Sequence, residues 1–117
     1  MRKTLVMIPA FGCDRRLYDD VTRRLEDQVK VVTHIAEQDR FETMVEGLLQ
    51  AVPGRFAVLG TSMGGRLALE VTLAAPARVT GLVVIGSGAG PVADKAAGLR
   101  RSARLRGGEM EGVLAEM

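Results

Sequence analysis

The chain has 117 residues, 47% apolar and 26% charged, which is the composition of one folded globular domain rather than a disordered or fibrous chain. Its 16 basic and 14 acidic residues give +2 and are spread evenly, and there are only four aromatics, so neither a basic nucleic-acid arm nor a base-stacking platform is expected. No apolar run approaches the roughly 20 residues of a membrane span, and one cysteine with one histidine excludes an internal disulfide framework and a Cys/His metal centre.

In chain order, the first apolar run is Leu5–Ile8, read as a strand and followed by a loop at Pro9-Ala10-Phe11-Gly12. Met1-Arg2-Lys3 ahead of this run and Cys13 behind it loosely imitate a lipoprotein signal. The apolar core is too short and contains Pro9, so the segment reads as strand and the chain as cytoplasmic. Asp14 is a plausible N-cap for a helix whose Leu17, Tyr18, Val21 and Leu25 share one face. A second strand is expected over Val29–Ile35. Phe41, Met44, Val45, Leu48 and Leu49 follow the helical i, i+3, i+4 rule, and Pro53-Gly54 ends that helix. Phe56–Leu59 is the third strand. A helix from Met63 to Ala75, apolar almost all round and stopped by Pro76, is expected to be central and buried. Leu82–Ile85 is the fourth strand.

The strand runs recur about every 25 residues and are continuous rather than alternating, the pattern of a parallel sheet covered on both faces. The expected fold is therefore α/β: a parallel-sheet, three-layer domain of about four strands with flanking helices and right-handed crossovers. After Ile85 the composition changes. Gly86-Ser87-Gly88-Ala89-Gly90-Pro91 is a loop, a polar, Arg-rich helical stretch runs from about Asp94 to Arg106, and Gly107-Gly108 precedes a last short segment.

The strongest chemical signal is Gly60-Thr61-Ser62-Met63-Gly64, a G-x-S-x-G motif between a buried strand and a buried helix. A serine on so sharp a turn is forced into a strained backbone, and only small flanking residues let strand and helix approach. Its hydroxyl then stands at the positive end of the helix, where the N–H of Met63 can stabilise an oxyanion. A phosphate-loop reading of Gly60–Leu67 fails, because Arg66 and Leu67 stand where Lys and Ser/Thr are needed. Gly86–Pro91 fails as a dinucleotide loop at Pro91. No strand ends in an aspartate, which excludes a phospho-receiver site.

On these residues the chain resembles the α/β-hydrolases, over residues 4–117. The resemblance implies that Leu5–Gly12 is the strand and oxyanion loop, with Pro9 and Ala10 in place of the usual His-Gly. It makes Ser62 the catalytic nucleophile, the Phe11 and Met63 amides the oxyanion hole, and Gly60 and Gly64 the glycines of the nucleophile elbow. Residues 1–90 would be the N-terminal part of the core and 91–117 the start of a helical cap. No cofactor or metal is implied, and the substrate would be a small acyl ester or thioester.

The family triad runs Ser, then acid, then His, and no histidine follows Ser62. The single His34 lies on the second strand, which the family order separates from the Ser62 strand by one other, and is read as a pocket-edge residue. Asp94 is read as a helix N-cap. The chain is therefore expected to stop before the triad acid and base and to be inactive alone, and the sheet edge beyond Leu82–Ile85 to be uncovered and prone to self-association. The alternative is a non-catalytic binding module that keeps the fold. Arg100, Arg101, Arg104 and Arg106 are read as a solvated helix face, and Cys13 as a small residue packed after the oxyanion loop.

Overall fold

A computed structural model of the protein describes residues 3–10, 12–86 and 108. Strand β1 (Lys3–Ile8) is followed by a 3-10 turn at Arg15–Tyr18 and helix α1 (Asp19–Leu25). Then come β2 (Val29–Thr33), α2 (Phe41–Ala51), β3 (Phe56–Thr61), α3 (Met63–Ala74) and β4 (Val79–Ile85). All four strands are parallel, in the order β2-β1-β3-β4. The expected α/β class and strand count are both present. The expected cap over 91–117, with Asp94 and the four arginines, lies outside the described residues except for Gly108.

Strand order fixes where the helices go. A right-handed crossover from β1 out to β2 runs one way across the sheet, whereas those from β2 to β3 and from β3 to β4 run the other way. Helix α1 therefore covers one face and α2 and α3 the opposite face, where they pack on each other. The main core lies on the α2/α3 side. There Val6 and Ile8 of β1 and Phe56 and Val58 of β3 meet Val45 and Leu48 of α2 and Leu67, Ala68 and Val71 of α3. Met7, alternating with Val6 and Ile8, is equally buried on the other face. Each such fully buried side chain contributes on the order of 1.5–3 kcal/mol.

Four expectations are corrected. The helix after Asp14 is two pieces: the Asp14 carboxylate accepts from the Arg16 N–H and starts a 3-10 turn, and α-helix begins only at Asp19. Of its four apolar positions, Tyr18 alone is buried, while Leu17 and Val21 stay exposed. Helix α3 is not buried all round, because Leu73 is 69% exposed and Arg66 pairs with Glu70 at 3.0 Å on a half-exposed face. Only β1 and β3 are deeply buried. As the marginal strands of the described sheet, β2 and β4 keep partly open faces, with no residue of β2 fully buried.

One side chain sutures the bottom of the domain. Arg78, just before β4, donates to the carbonyls of Gly54 at 2.8 Å, Leu49 at 3.0 Å and Val52, and its guanidinium lies 5.4 Å from the Phe56 ring centre. It thus ties the end of α2 and the turn after it to the start of β3.

Candidate active site

The crossovers leave β1 and β3 in opposite directions, so a crevice opens beyond the carboxyl ends of these two neighbouring strands. Pro9 and Ala10 follow β1 there, and Ser62 follows β3. A cleft of about 270 Å³ lies at this place, with Ile8, Pro9, Ala10, Cys13, Ile35 and Met63 among its walls. Its lining is mostly apolar.

Ser62 has φ +56° and ψ −117° and is the one non-glycine residue with positive φ among the described residues. This is the strained turn the motif calls for. Its N–H donates to Ile85 O on β4 at 2.8 Å, and its carbonyl accepts from the Gly65 and Arg66 N–H groups that open α3. Met63 and Gly64, at the start of the helix, have no intrahelical acceptor for their own N–H groups. The Ser62 hydroxyl therefore sits at the positive end of a 12-residue helix.

The flanking glycines are required by contact. A Cβ on Gly60 would stand 2.0 Å from Gly64 O, and a Cβ on Gly64 would stand 2.2 Å from Ile8 O. These neighbours are backbone atoms, so α3 can start this close to β1 and β3 only with hydrogen at both positions.

Phe11, the other expected oxyanion donor, lies outside the described residues. The loop on either side of it is turned by a Cys13 N–H to Ala10 O bond of 3.0 Å. Cys13 itself is exposed rather than packed away, though it borders the cleft. The chain swings outward there, into the turn capped by Asp14.

His34 is not brought to Ser62. Its backbone N–H donates to Met7 O at 2.9 Å, which extends the β2–β1 pairing one residue past the strand. One full strand, β1, separates it from β3, or roughly 10 Å between backbones. Its ring Nε2 is buried without a hydrogen-bond partner among the described residues. Burial pushes the imidazole below its ordinary pKa of 6.5, against the pull of the Glu37 carboxylate.

One side chain beside the elbow differs from its sequence-based expectation. Tyr18, read only as a helix-face apolar residue, is 5% exposed, and its hydroxyl lies 2.8 Å from Ile8 O and 2.6 Å from Thr61 Oγ1. The available signal was its being the sole tyrosine and placed in the core, since a buried phenol must find a partner. Nothing local in the sequence named the partners.

Among the described residues no group of three or more His, Cys, Asp or Glu is placed to hold a metal, and no helix is long and apolar enough to cross a membrane.

A scan against protein-family models matches none. Among curated proteins, the chain is 33% identical over 92 residues to a pimeloyl-[acyl-carrier protein] methyl ester esterase of Nitrosomonas europaea, covering 71% of this chain and 36% of that protein. It is 30% identical over 93 residues to the esterase of the same description from Aliivibrio salmonicida, covering 71% and 35%. The matched region is thus about a third of the length of these relatives. Among solved structures, a marine microorganism esterase superposes with a TM-score of 0.73 at 19% identity, over 90% of this chain and 45% of that one. A membrane phospholipase A superposes with a TM-score of 0.68 at 22% identity, over 80% and 35%. At these identities the structural likeness is one of fold.

Proposed function

We propose, from the premise that this chain belongs to the α/β-hydrolase fold family, that it carries the nucleophile half of a serine ester hydrolase. The observation that carries the reading is the strained Ser62, at φ +56° on the strand-to-helix turn beside the crevice between β1 and β3. In the reaction Ser62 Oγ attacks the acyl carbon of an ester or thioester and gives up its proton to a base. The carbonyl oxygen becomes an oxyanion that accepts hydrogen bonds from the Met63 and Phe11 amides, and collapse of the intermediate expels the alcohol or thiol. Water then releases the acid from the acyl-enzyme by the same route. The names of the curated relatives favour a methyl ester of a carrier-bound acyl chain as substrate, and the mostly apolar cleft suits an aliphatic acyl group.

The base is not among these 117 residues. No histidine follows Ser62, and His34 is one strand too far away with its ring nitrogen buried. A longer polypeptide would supply the acid and histidine, and the greater length of the curated relatives supports this. By itself the chain binds in the cleft but leaves Ser62 an ordinary alcohol. It also self-associates through the open margin at β4.

The test is labelling by a fluorophosphonate, read by intact mass. The expected result is labelling that is slow, confined to Ser62, lost in Ser62→Ala and accelerated by added imidazole acting as the absent base. Rapid labelling without imidazole, abolished by His34→Ala, would make His34 the base and overturn the external-base reading. No labelling of Ser62 at any imidazole concentration favours the binding-module alternative.

A further inference from the structure

Tyr18 joins two places that the chain keeps far apart. Ile8, ten residues earlier, is the last residue of β1 and the base of the loop on the crevice; Thr61, 43 residues later, immediately precedes Ser62. The direction of the bonds follows from proton count. A carbonyl oxygen can only accept, so the single phenolic proton goes to Ile8 O, and the Thr61 hydroxyl donates to the phenol oxygen. Burial raises the phenol pKa, which keeps that proton in place throughout the neutral range. The bond to Ile8 also closes residues 9–17 into a loop anchored at its base.

Strained backbone persists only where its surroundings over-determine it. On the β4 side Ser62 is held by its N–H to Ile85 O. On the β1 side the corresponding restraint is the Thr61–Tyr18–Ile8 chain, with the Gly64–Ile8 approach beside it. We infer that Tyr18 is a positioning residue: through Thr61 it holds Ser62 in its strained conformation and in register with the loop after β1. It touches no reacting atom. The inference deepens the proposal above and rests on its reading of the elbow.

The test needs no turnover. In a Cys13→Ser background, Ser62→Cys places a thiol on the elbow, and its reaction with a chromogenic aromatic disulfide is followed from pH 5 to 10. At the N-terminus of α3 the thiol is expected to titrate below the ordinary value of about 8.5. Removing the restraint by Tyr18→Phe or Thr61→Val should move the midpoint back towards that value and slow the reaction at pH 7 by about threefold to tenfold. Thr61→Ser, which keeps a hydroxyl, should restore the parent profile. Circular dichroism of each variant separates this from loss of fold, and if Tyr18→Phe does not fold, Thr61→Val alone decides. A lowered midpoint in the parent that neither variant moves overturns the inference and leaves the elbow reading standing. An ordinary midpoint in the parent overturns the elbow reading, and the inference with it.

Discussion

Gly64, in the first turn of α3, lies so close to the end of β1 that a Cβ on it would stand 2.2 Å from the carbonyl oxygen of Ile8. This contact sets the height at which the helix begins and therefore the position of Ser62 above the crevice. Because carbonyl and helix backbone cannot both yield, Gly64→Ala and Gly60→Ala are each expected to destabilise by roughly 3 kcal/mol or more. Gly81→Ala is the control. Its nearest neighbour would be the Ala57 Cβ at an ordinary 3.8 Å, so its cost should stay below about 1 kcal/mol, the range of tolerated changes. Urea denaturation of the three variants checks the ranking.

Ser62 itself should be a stability liability. A non-glycine residue at φ +56° and ψ −117° carries on the order of 1–3 kcal/mol of strain. Ser62→Gly relieves it and gives back roughly 0.5–1 kcal/mol through the freer unfolded chain. A net gain of about 1 kcal/mol is expected, with loss of all labelling by the fluorophosphonate. A destabilised Ser62→Gly would mean that the turn is not strained.

The His34 ring makes stability depend on pH with a definite sign. Its folded pKa is depressed by burial, so the unfolded chain binds the proton more readily, and stability rises with pH across the interval between the two values. Its contribution is complete above the unfolded value of 6.5 and is lost as pH falls through the lower folded value. The denaturation midpoint should therefore fall below pH 6.5 more steeply in the parent than in His34→Gln. Parallel curves would show that the imidazole is not desolvated.

Arg78 serves three backbone carbonyls at once and stacks near Phe56. Arg78→Ala is expected to cost about 2–4 kcal/mol, because partly buried acceptors lose charged donors. Arg78→Lys should recover less than half of that, since an ammonium cannot reproduce the planar fork. Thermal denaturation of the two variants, side by side, gives the comparison.

Val83 and Ile85 of β4 are 49% and 47% exposed on a strand paired only with β3 among the described residues. Apolar strand margins of this kind pair with other chains. The mass from light scattering should rise with concentration, and Val83→Lys should lower it towards that of one chain. A parent that stays monomeric at high concentration would contradict this.

The sequence by itself determined the features that depend on neighbouring residues. Apolar runs recurring about every 25 residues located the four strands, although only β1 and β3 are deeply buried. The 3.6-residue spacing of Phe41, Met44, Val45, Leu48 and Leu49 located α2, because a helix can bury only residues that share a face. Gly60-Thr61-Ser62-Met63-Gly64 located the elbow, because the strain at Ser62 and the approach of Gly60 to Gly64 are both settled within five residues of chain, whereas the approach of Gly64 to Ile8 needs β1 in place. The tertiary structure decided what depends on distant partners. Spacing could not reveal that Tyr18 alone of its helical face would be buried, nor that its hydroxyl would meet Ile8 and Thr61. Arg78 reads as one more surface cation until the fold brings it three carbonyls from the end of α2 and the following turn. The exposure of Leu73 and Cys13 follows from where α3 and the loop after β1 meet solvent, not from their own sequence. Backbone sterics and periodicity act over a few residues and are written locally, whereas a hydrogen bond spanning 43 residues exists only once the sheet has set β1 beside β3.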